Sequence, residues 1–299
     1  MLTLTVNRHS ATQRLDRFLR KSFPSVPLSY LFAIMRKKKV RVNGIVSKPD
    51  CKLKESDTVL IYENLPQNTS FSHDDSYDNI TPIIDITKYF VMQTPEFVII
   101  NKPYGLPCHS GSGVKETESL SGILALWAKR EGLDFKPALV HRLDKDTSGL
   151  IIAALSGHAV RDFGYLMRNR YVKREYLTLV HGNMEKKRGK IIMPSTVIEK
   201  ESKSNWVLEK TFADFDLLRV NLETGHKHQI RISFAHIGHP VLGDKKYGNF
   251  LINREYKKKI GLNRLFLHST RLHFYWKTKI VDIEIPLPLE LTRILPEEL

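Results

Sequence analysis

Residues 138–154 constrain the fold more than any other stretch of the chain. Ala138-Leu139-Val140 and Leu150-Ile151-Ile152-Ala153-Ala154 are apolar, short and bounded by turn signals, a combination that predicts two buried strands. Between them, Asp144-Lys145-Asp146-Thr147-Ser148-Gly149 is turn chemistry: short oxygen side chains that bond the local backbone, then a glycine for an awkward φ. The fold must therefore hold a loop bearing Arg142 and two carboxylates against buried strands. Reactive groups tend to sit in such loops, because the scaffold fixes their position. The pattern alone also fits a plainer role, in which Asp144 and Asp146 bond backbone amides of a tight turn.

At 299 residues the chain allows one large and one small domain, and 41% apolar residues suffice for a core. No apolar run reaches the length of a membrane span, and the opening residues lack a signal-peptide layout. Two cysteines, Cys51 and Cys108, are too few for a disulfide framework or a cysteine-rich zinc site, which suits a reducing cytoplasm. The net charge of +15 points to a polyanionic partner, most simply nucleic acid.

That charge is uneven. Residues 1–62 carry 13 Lys and Arg against 4 Asp and Glu. Leu15, Phe18 and Leu19 recur at helical spacing in Gln13–Phe23, and Leu31, Phe32, Ile34 and Met35 do so in Leu28–Lys38. The second helix ends in Arg36-Lys37-Lys38-Lys39, either a solvated helix end or a phosphate-binding face. Val40-Arg41-Val42-Asn43-Gly44-Ile45-Val46 carries the Asn-Gly signal of a two-residue hairpin, and Thr58–Tyr62 is a strand that could close a small sheet. We place a basic domain at 1–63, an Asn-, Ser- and Asp-rich linker at 64–87, and a second domain at 88–299.

In the second domain, Phe97–Ile100 reads as a buried strand running into a loop punctuated by Pro103, Gly105 and Pro107. Helices are expected at Ser119–Lys129 and Gly157–Asn169, and strands at Tyr171–Val180, Phe212–Glu223, Leu265–Phe274 and Ile280–Pro288. His226, His228, His236 and His239 lie close in sequence. The first pair would diverge on a helix and no acidic or cysteine ligand is interleaved, so we expect no metal site.

Several blocks together resemble one family. His141-Arg142-Leu143-Asp144, with Thr147-Ser148-Gly149-Leu150, is similar to the central His-Arg-Leu-Asp-x-x-Thr-Ser-Gly-Leu signature of the RluA-type pseudouridine synthases. Asn101-Lys102-Pro103-Tyr104-Gly105-Leu106 resembles the family's first motif, and Arg174-Glu175-Tyr176 its basic-x-Tyr motif. Thr224-Gly225-His226-Lys227-His228-Gln229-Ile230-Arg231 and Gly238-His239-Pro240-Val241-Leu242-Gly243-Asp244 resemble its third block, except that His226 stands where the family has Arg. Imidazole cannot fork two bonds as guanidinium does, which weakens a phosphate contact there. The head, helix then basic helix then Val-Arg-Val-Asn-Gly, resembles an S4-like RNA-binding module.

The resemblance implies an α+β fold: a catalytic body on a mainly antiparallel mixed sheet with flanking helices and loops, preceded by a small α/β S4-like domain. It implies an isomerase that turns specific uridines into pseudouridine, in the ribosomal large-subunit branch, through the single catalytic Asp144. Tyr176 would stack on the target base, Arg231 would pair with Asp144, Arg142 would fill the vacated stack, Ile230 would wall the pocket and Lys102 would lie near the RNA backbone. Arg36, Lys37, Lys38, Lys39 and Arg41 would dock RNA. The reaction breaks an N-glycosidic bond and rejoins uracil through carbon with no net oxidation, so no cofactor is expected. A carboxylate could act as nucleophile on the anomeric carbon or as base on the ribose. We expect a cytoplasmic monomer whose partner is large-subunit ribosomal RNA, without membrane association. Two other readings share the scaffold: a non-catalytic RNA-binding or ribosome-assembly protein, and an RNA N-glycosidase.

Overall fold

The computed structural model describes residues 2–6, 11–23, 26, 28–63, 84–111, 114–133, 135–195 and 201–296. Its chain divides into two compact units, Met1–Asn79 and Ile80–Leu299.

The first unit contains β1 (Leu2–Thr5), α1 (Leu15–Ser22), α2 (Leu28–Arg36), β2 (Val40–Val42), β3 (Ile45–Val46) and β4 (Thr58–Ile61). The strands form an antiparallel sheet ordered β1-β4-β2-β3. Asn43 and Gly44 turn the β2–β3 hairpin at φ of 50° and 79°, the pair of left-handed residues that the Asn-Gly signal demands. Leu15, Leu19, Leu31, Ile34, Val40, Val59 and Ile61 form one buried core. Their apolar spacing leaves the cationic side chains of α2's end and of β2 outside, and Arg36, Lys37, Lys38, Lys39 and Arg41 are all exposed. Of the segment expected to be a linker, 64–83 lies outside the described residues, whereas Ile86 is buried in the core of the second unit.

The second unit runs β5 (Phe90–Gln93), β6 (Phe97–Lys102), α3 (Leu120–Arg130), β7 (Ala138–Leu139), β8 (Ser148–Ala154), α4 (Gly157–Arg168), β9 (Lys173–His181), β10 (Arg188–Met193), β11 (Ser202–Thr211), β12 (Phe215–Leu222), α5 (Gln229–His236), α6 (Phe250–Ile260), β13 (Leu267–Trp276), β14 (Lys279–Glu284) and α7 (Leu289–Thr292). The main path of its sheet is β10-β11-β12-β9-β13-β8-β6-β5, with β14 added to β13 and β7 to β8. The pairing is antiparallel except between β8 and β13. The α+β class and the mainly antiparallel mixed sheet are as expected.

Strand β8 is buried along its whole length, and its alternation divides two cores. Ile151 and Ala153 join Val98, Ile100, Leu120, Ile123 and Trp127 on one face. Leu150, Ile152 and Ala154 join Phe97, Phe163, Phe274 and Trp276 on the other. A strand covered on both faces shows a continuous apolar run, as Leu150–Ala154 does.

The start of β8 fixes the loop before it. Gly149 sits at φ 112°, and a Cβ there would collide with the backbone carbonyl of Ser269, so only glycine permits the parallel junction. Ser269 pairs with Gly149 on one side and with Tyr176 on the other. The register thus sets the Asp144 loop at the same level of the sheet as Tyr176.

Candidate active site

A cleft of about 650 Å³ opens where the loop before β8, the middle of β9 and the start of α5 meet. Arg142, Asp144, Arg174, Tyr176, Ile230 and Arg231 all line it. Five side chains expected to act together, those of Asp144, Arg142, Tyr176, Ile230 and Arg231, are therefore brought to one place.

Asp144 is held mainly through its backbone neighbours. On one side, the Cys108 thiol donates to the Leu143 carbonyl at 3.2 Å, and the Leu143 amide donates back to Sγ at 3.3 Å. On the other, the Lys145 carbonyl accepts from the Gly105 amide at 3.0 Å and from the Lys102 ammonium at 3.2 Å. Lys102 also donates to the carbonyls of Pro103 and Leu106 at 2.9 and 2.8 Å. This corrects the expectation that Lys102 lies near the RNA backbone: the residue is fully buried. Its ammonium bonds two carbonyls of the Pro- and Gly-rich loop and shares a third, that of Lys145, with the Gly105 amide, and burial pulls its pKa down to about 8.

The Asp144 carboxylate is 14% exposed and accepts from Arg231 Nη1 at 3.2 Å. The expected pair forms, but it is the lesser of two. Arg231 forks onto Asp244, Nε to Oδ2 at 2.7 Å and Nη2 to Oδ1 at 2.8 Å, with Asp244 almost fully buried. Burial raises the Asp244 carboxyl, yet Arg231 and the amides of Tyr247 and Lys246 outweigh it and hold the group below the usual carboxylate range. His228 reaches Asp144 Oδ1 at 3.6 Å through Nε2, while its Nδ1 meets the Tyr247 hydroxyl at 2.9 Å. Burial lowers the His228 pKa against the pull of Asp144, so near pH 7 the ring is neutral. His228 also occupies the left-handed region at φ 56°, a strained conformation of the kind that collects at functional sites.

Tyr176 is buried, and that burial raises its hydroxyl's pKa, so it presents a neutral ring. Ile230 is likewise buried at the wall. Arg142 is exposed at the cleft. His226 donates from Nε2 to the Glu201 carbonyl, 3.3 Å away, rather than standing free. The histidines weighed as ligands face different partners, His239 bonding the His181 carbonyl at 2.9 Å. Among the described residues no group of three or more His, Cys, Asp or Glu could hold a metal ion, and no helix is long and apolar enough to cross a membrane.

Sequence reasoning passed over Asp244, Cys108 and Arg174 as site residues, and weighed His228 only as a metal ligand. Asp244 had a signal, since it lies in a Gly-Asp turn close after Arg231. Cys108 had none, because its bond to Leu143 spans two loops. On the basic head, Lys39 lies 3.5 Å from Glu63, and the Arg41 guanidinium sits 5.3 Å over the Tyr62 ring. Arg36, Lys37 and Lys38 have no carboxylate partner among the described residues.

The profile of the RNA pseudouridylate synthase family matches residues 96–236, a span that contains Asp144, Tyr176 and Arg231. Among curated relatives, the ribosomal large subunit pseudouridine synthase C of Buchnera aphidicola (subsp. Acyrthosiphon pisum) is 31% identical over 300 residues, covering 96% of this chain and 93% of that one. The protein of the same name from Escherichia coli K12 is 30% identical over 310 residues, covering 98% and 95%. Among solved structures, human RNA pseudouridylate synthase domain containing 4 superposes with a TM-score of 0.61 at 23% identity, over 70% of this chain and 92% of that one.

Proposed function

The chain belongs to the RNA pseudouridylate synthase family, and on that premise we propose that it isomerises specific uridines of large-subunit ribosomal RNA with Asp144 as its catalytic group. The observation that carries the assignment is the pinning of Asp144 at the cleft by bonds to both flanking residues, with one carboxylate oxygen turned to Arg231 at 3.2 Å. A group that must meet a sugar carbon or its neighbouring hydrogen gains from being fixed before substrate arrives.

The target base leaves its stack at a cost of a few kcal/mol. Tyr176 presents a ring face to the extruded uracil. Arg142, exposed two residues from Asp144, takes the vacated place in the stack. The carboxylate then attacks the anomeric carbon, or removes a ribose proton, and the glycosidic bond to nitrogen breaks. Uracil turns within the cleft and its C5 bonds the anomeric carbon as the carboxylate is displaced or the ribose proton is returned, after which the C5 proton leaves and N1 gains one. Ile230 keeps water from the sugar, which would otherwise be hydrolysed. In this reading residues 1–63 are an S4-like module whose exposed cations dock RNA backbone, and the protein works in the cytoplasm as a monomer.

The test is Asp144→Asn, with tritium release from 5-tritiated uridine in ribosomal RNA measured beside filter binding. Release should vanish while affinity stays near that of the wild type. An Asn variant that turns over normally would remove Asp144 from the chemistry.

A further inference from the structure

The far rim of the cleft is built by the end of α4, a place that the roles above leave unused. Arg168 closes the helix and Asn169 caps it, and both Arg168 and Arg170 line the cleft with Asp144. The termination has the geometry in which the residue after the cap turns left-handed. The Arg170 amide donates to the Met167 carbonyl at 3.2 Å and the Tyr171 amide to the Leu166 carbonyl at 2.9 Å. That position is usually glycine. Here it is Arg170 at φ 60°, so the chain keeps a long cation where glycine would sit more comfortably. Backbone strain of this kind persists where the side chain has work to do.

Three further observations belong to the same corner. Arg168 and Arg170 are exposed, and neither has a carboxylate partner among the described residues. Tyr165 and Tyr171, 54% and 55% exposed, stand with ring centroids 6.0 Å apart. Deeper in the cleft, Arg174 is more than nine-tenths buried, yet its Nε has no hydrogen-bond partner and its one bond, from Nη2 to the Thr224 carbonyl, is long at 3.4 Å. Its guanidinium also packs against Gly225, where a Cβ would press on Nη1 at 2.9 Å. A buried cation without an anion lacks the partner that buried charges ordinarily have.

We propose that this corner is a second RNA-contact surface, gripping the single strand that flanks the target uridine. Arg174 takes a phosphate near the reacting nucleotide, Arg168 and Arg170 take phosphates further along, and Tyr165 and Tyr171 offer faces to a flanking base. Arginine beside exposed aromatic rings is the recurring chemistry of single-strand recognition. A phosphate track running up from the cleft floor also explains why Arg170 is retained against the preference of its backbone. The substrate class rests on the activity proposed above.

The experiment uses the full chain and two RNAs: a hairpin that presents the target uridine with a single-stranded flank, and the same hairpin with the flank removed. Arg170→Gly suits the local backbone, so its melting temperature should equal or exceed that of the wild type. Its affinity for the flanked RNA should fall, and the slope of log affinity against log salt should become shallower by about 0.7 for one lost single-strand phosphate. The double variant Tyr165→Ala, Tyr171→Ala should weaken binding to the flanked RNA by about 10-fold. On the flankless hairpin both variants should match the wild type. Equal losses on the two RNAs, or none on either, would overturn the corner. Because binding is read without turnover, a protein that gripped the flank but made no pseudouridine would refute the activity and leave this surface standing.

Discussion

Arg231 is shared by two carboxylates, and substituting each should have opposite consequences. Asp244→Asn removes the charge from a buried fork whose two bonds measure 2.7 and 2.8 Å. Breaking one half of a buried ion pair costs about 3–5 kcal/mol, because it strands the remaining charge. Asn keeps one carbonyl oxygen for the amides of Lys246 and Tyr247, and Asp144 still faces the guanidinium, so the lower end applies. At roughly 2–4 °C per kcal/mol for a domain of this size, the melting temperature should drop by about 6–12 °C. Asp144→Asn takes away a single bond of 3.2 Å and leaves the fork whole. Its cost should not exceed about 1.5 kcal/mol. Activity should order the other way. The Asp144 variant should be inert, whereas the Asp244 variant, assayed well below its transition, should lose up to about 100-fold through misplacement of Arg231. The assay pairs thermal unfolding with tritium release on the same preparations. An Asp144→Asn protein that melted as low as Asp244→Asn would refute this division between catalytic and structural carboxylate.

Lys102→Met should lower the rate while leaving RNA affinity unchanged, since the ammonium bonds three carbonyls and no phosphate; a comparable loss of affinity would restore the backbone-contact reading. With its pKa lowered by burial to about 8 from 10.5, Lys102 releases its proton in the folded state before the unfolded one does. The unfolded chain then binds more protons, so this group's contribution to stability rises with pH between those values. The wild-type rate should nevertheless fall above about pH 8 as the charged tether is lost, and Lys102→Met should lack that basic limb. Substituting Lys37, Lys38 and Arg41 by Gln should flatten the slope of log affinity against log salt by about 0.7–0.9 per lost phosphate contact; an unchanged slope would remove the head from RNA docking. Arg142→Ala should slow single-turnover conversion more on a structured RNA than on one whose uridine is already unpaired, and equal losses would remove its base-replacing role.

Much of this was legible because the physics is local. The apolar run of β8, the Asn43-Gly44 hairpin and the helical spacing of Leu15, Phe18 and Leu19 each declare themselves within a few residues. Strand β1 did not, because Leu2–Thr5 owes its place to pairing with β4 far along the chain. Helix α6 also passed unremarked, since among its residues only Tyr256 is buried. In the cleft, the family resemblance pointed to Asp144, Tyr176 and Arg231 and paired Arg231 with Asp144, but it did not single out Asp244 as the stronger partner of Arg231. That Arg231 prefers Asp244, and that Lys102 turns inward, depends on loops meeting across 13 and 43 residues. Burial decided Lys102: a basic residue beside prolines and glycines looks free in sequence, whereas three backbone carbonyls claim it in the fold.

The division of labour around Arg231 has a chemical logic. Had the guanidinium forked directly onto Asp144, both carboxylate oxygens would be committed to charge-assisted bonds, and reaction at a sugar would first require breaking them. The fork instead goes to Asp244, and Asp144 receives one lateral bond on Oδ2. Among the described residues its other oxygen faces the neutral His228 ring at 3.6 Å, beyond hydrogen-bonding distance. Placement is delegated to the main chain, through Cys108 on Leu143 and through Lys102 and Gly105 on Lys145. The carboxylate is thereby fixed in position while keeping an oxygen uncommitted. In the reaction we propose, nucleophile and base alike would require that free oxygen, so the arrangement would serve either course.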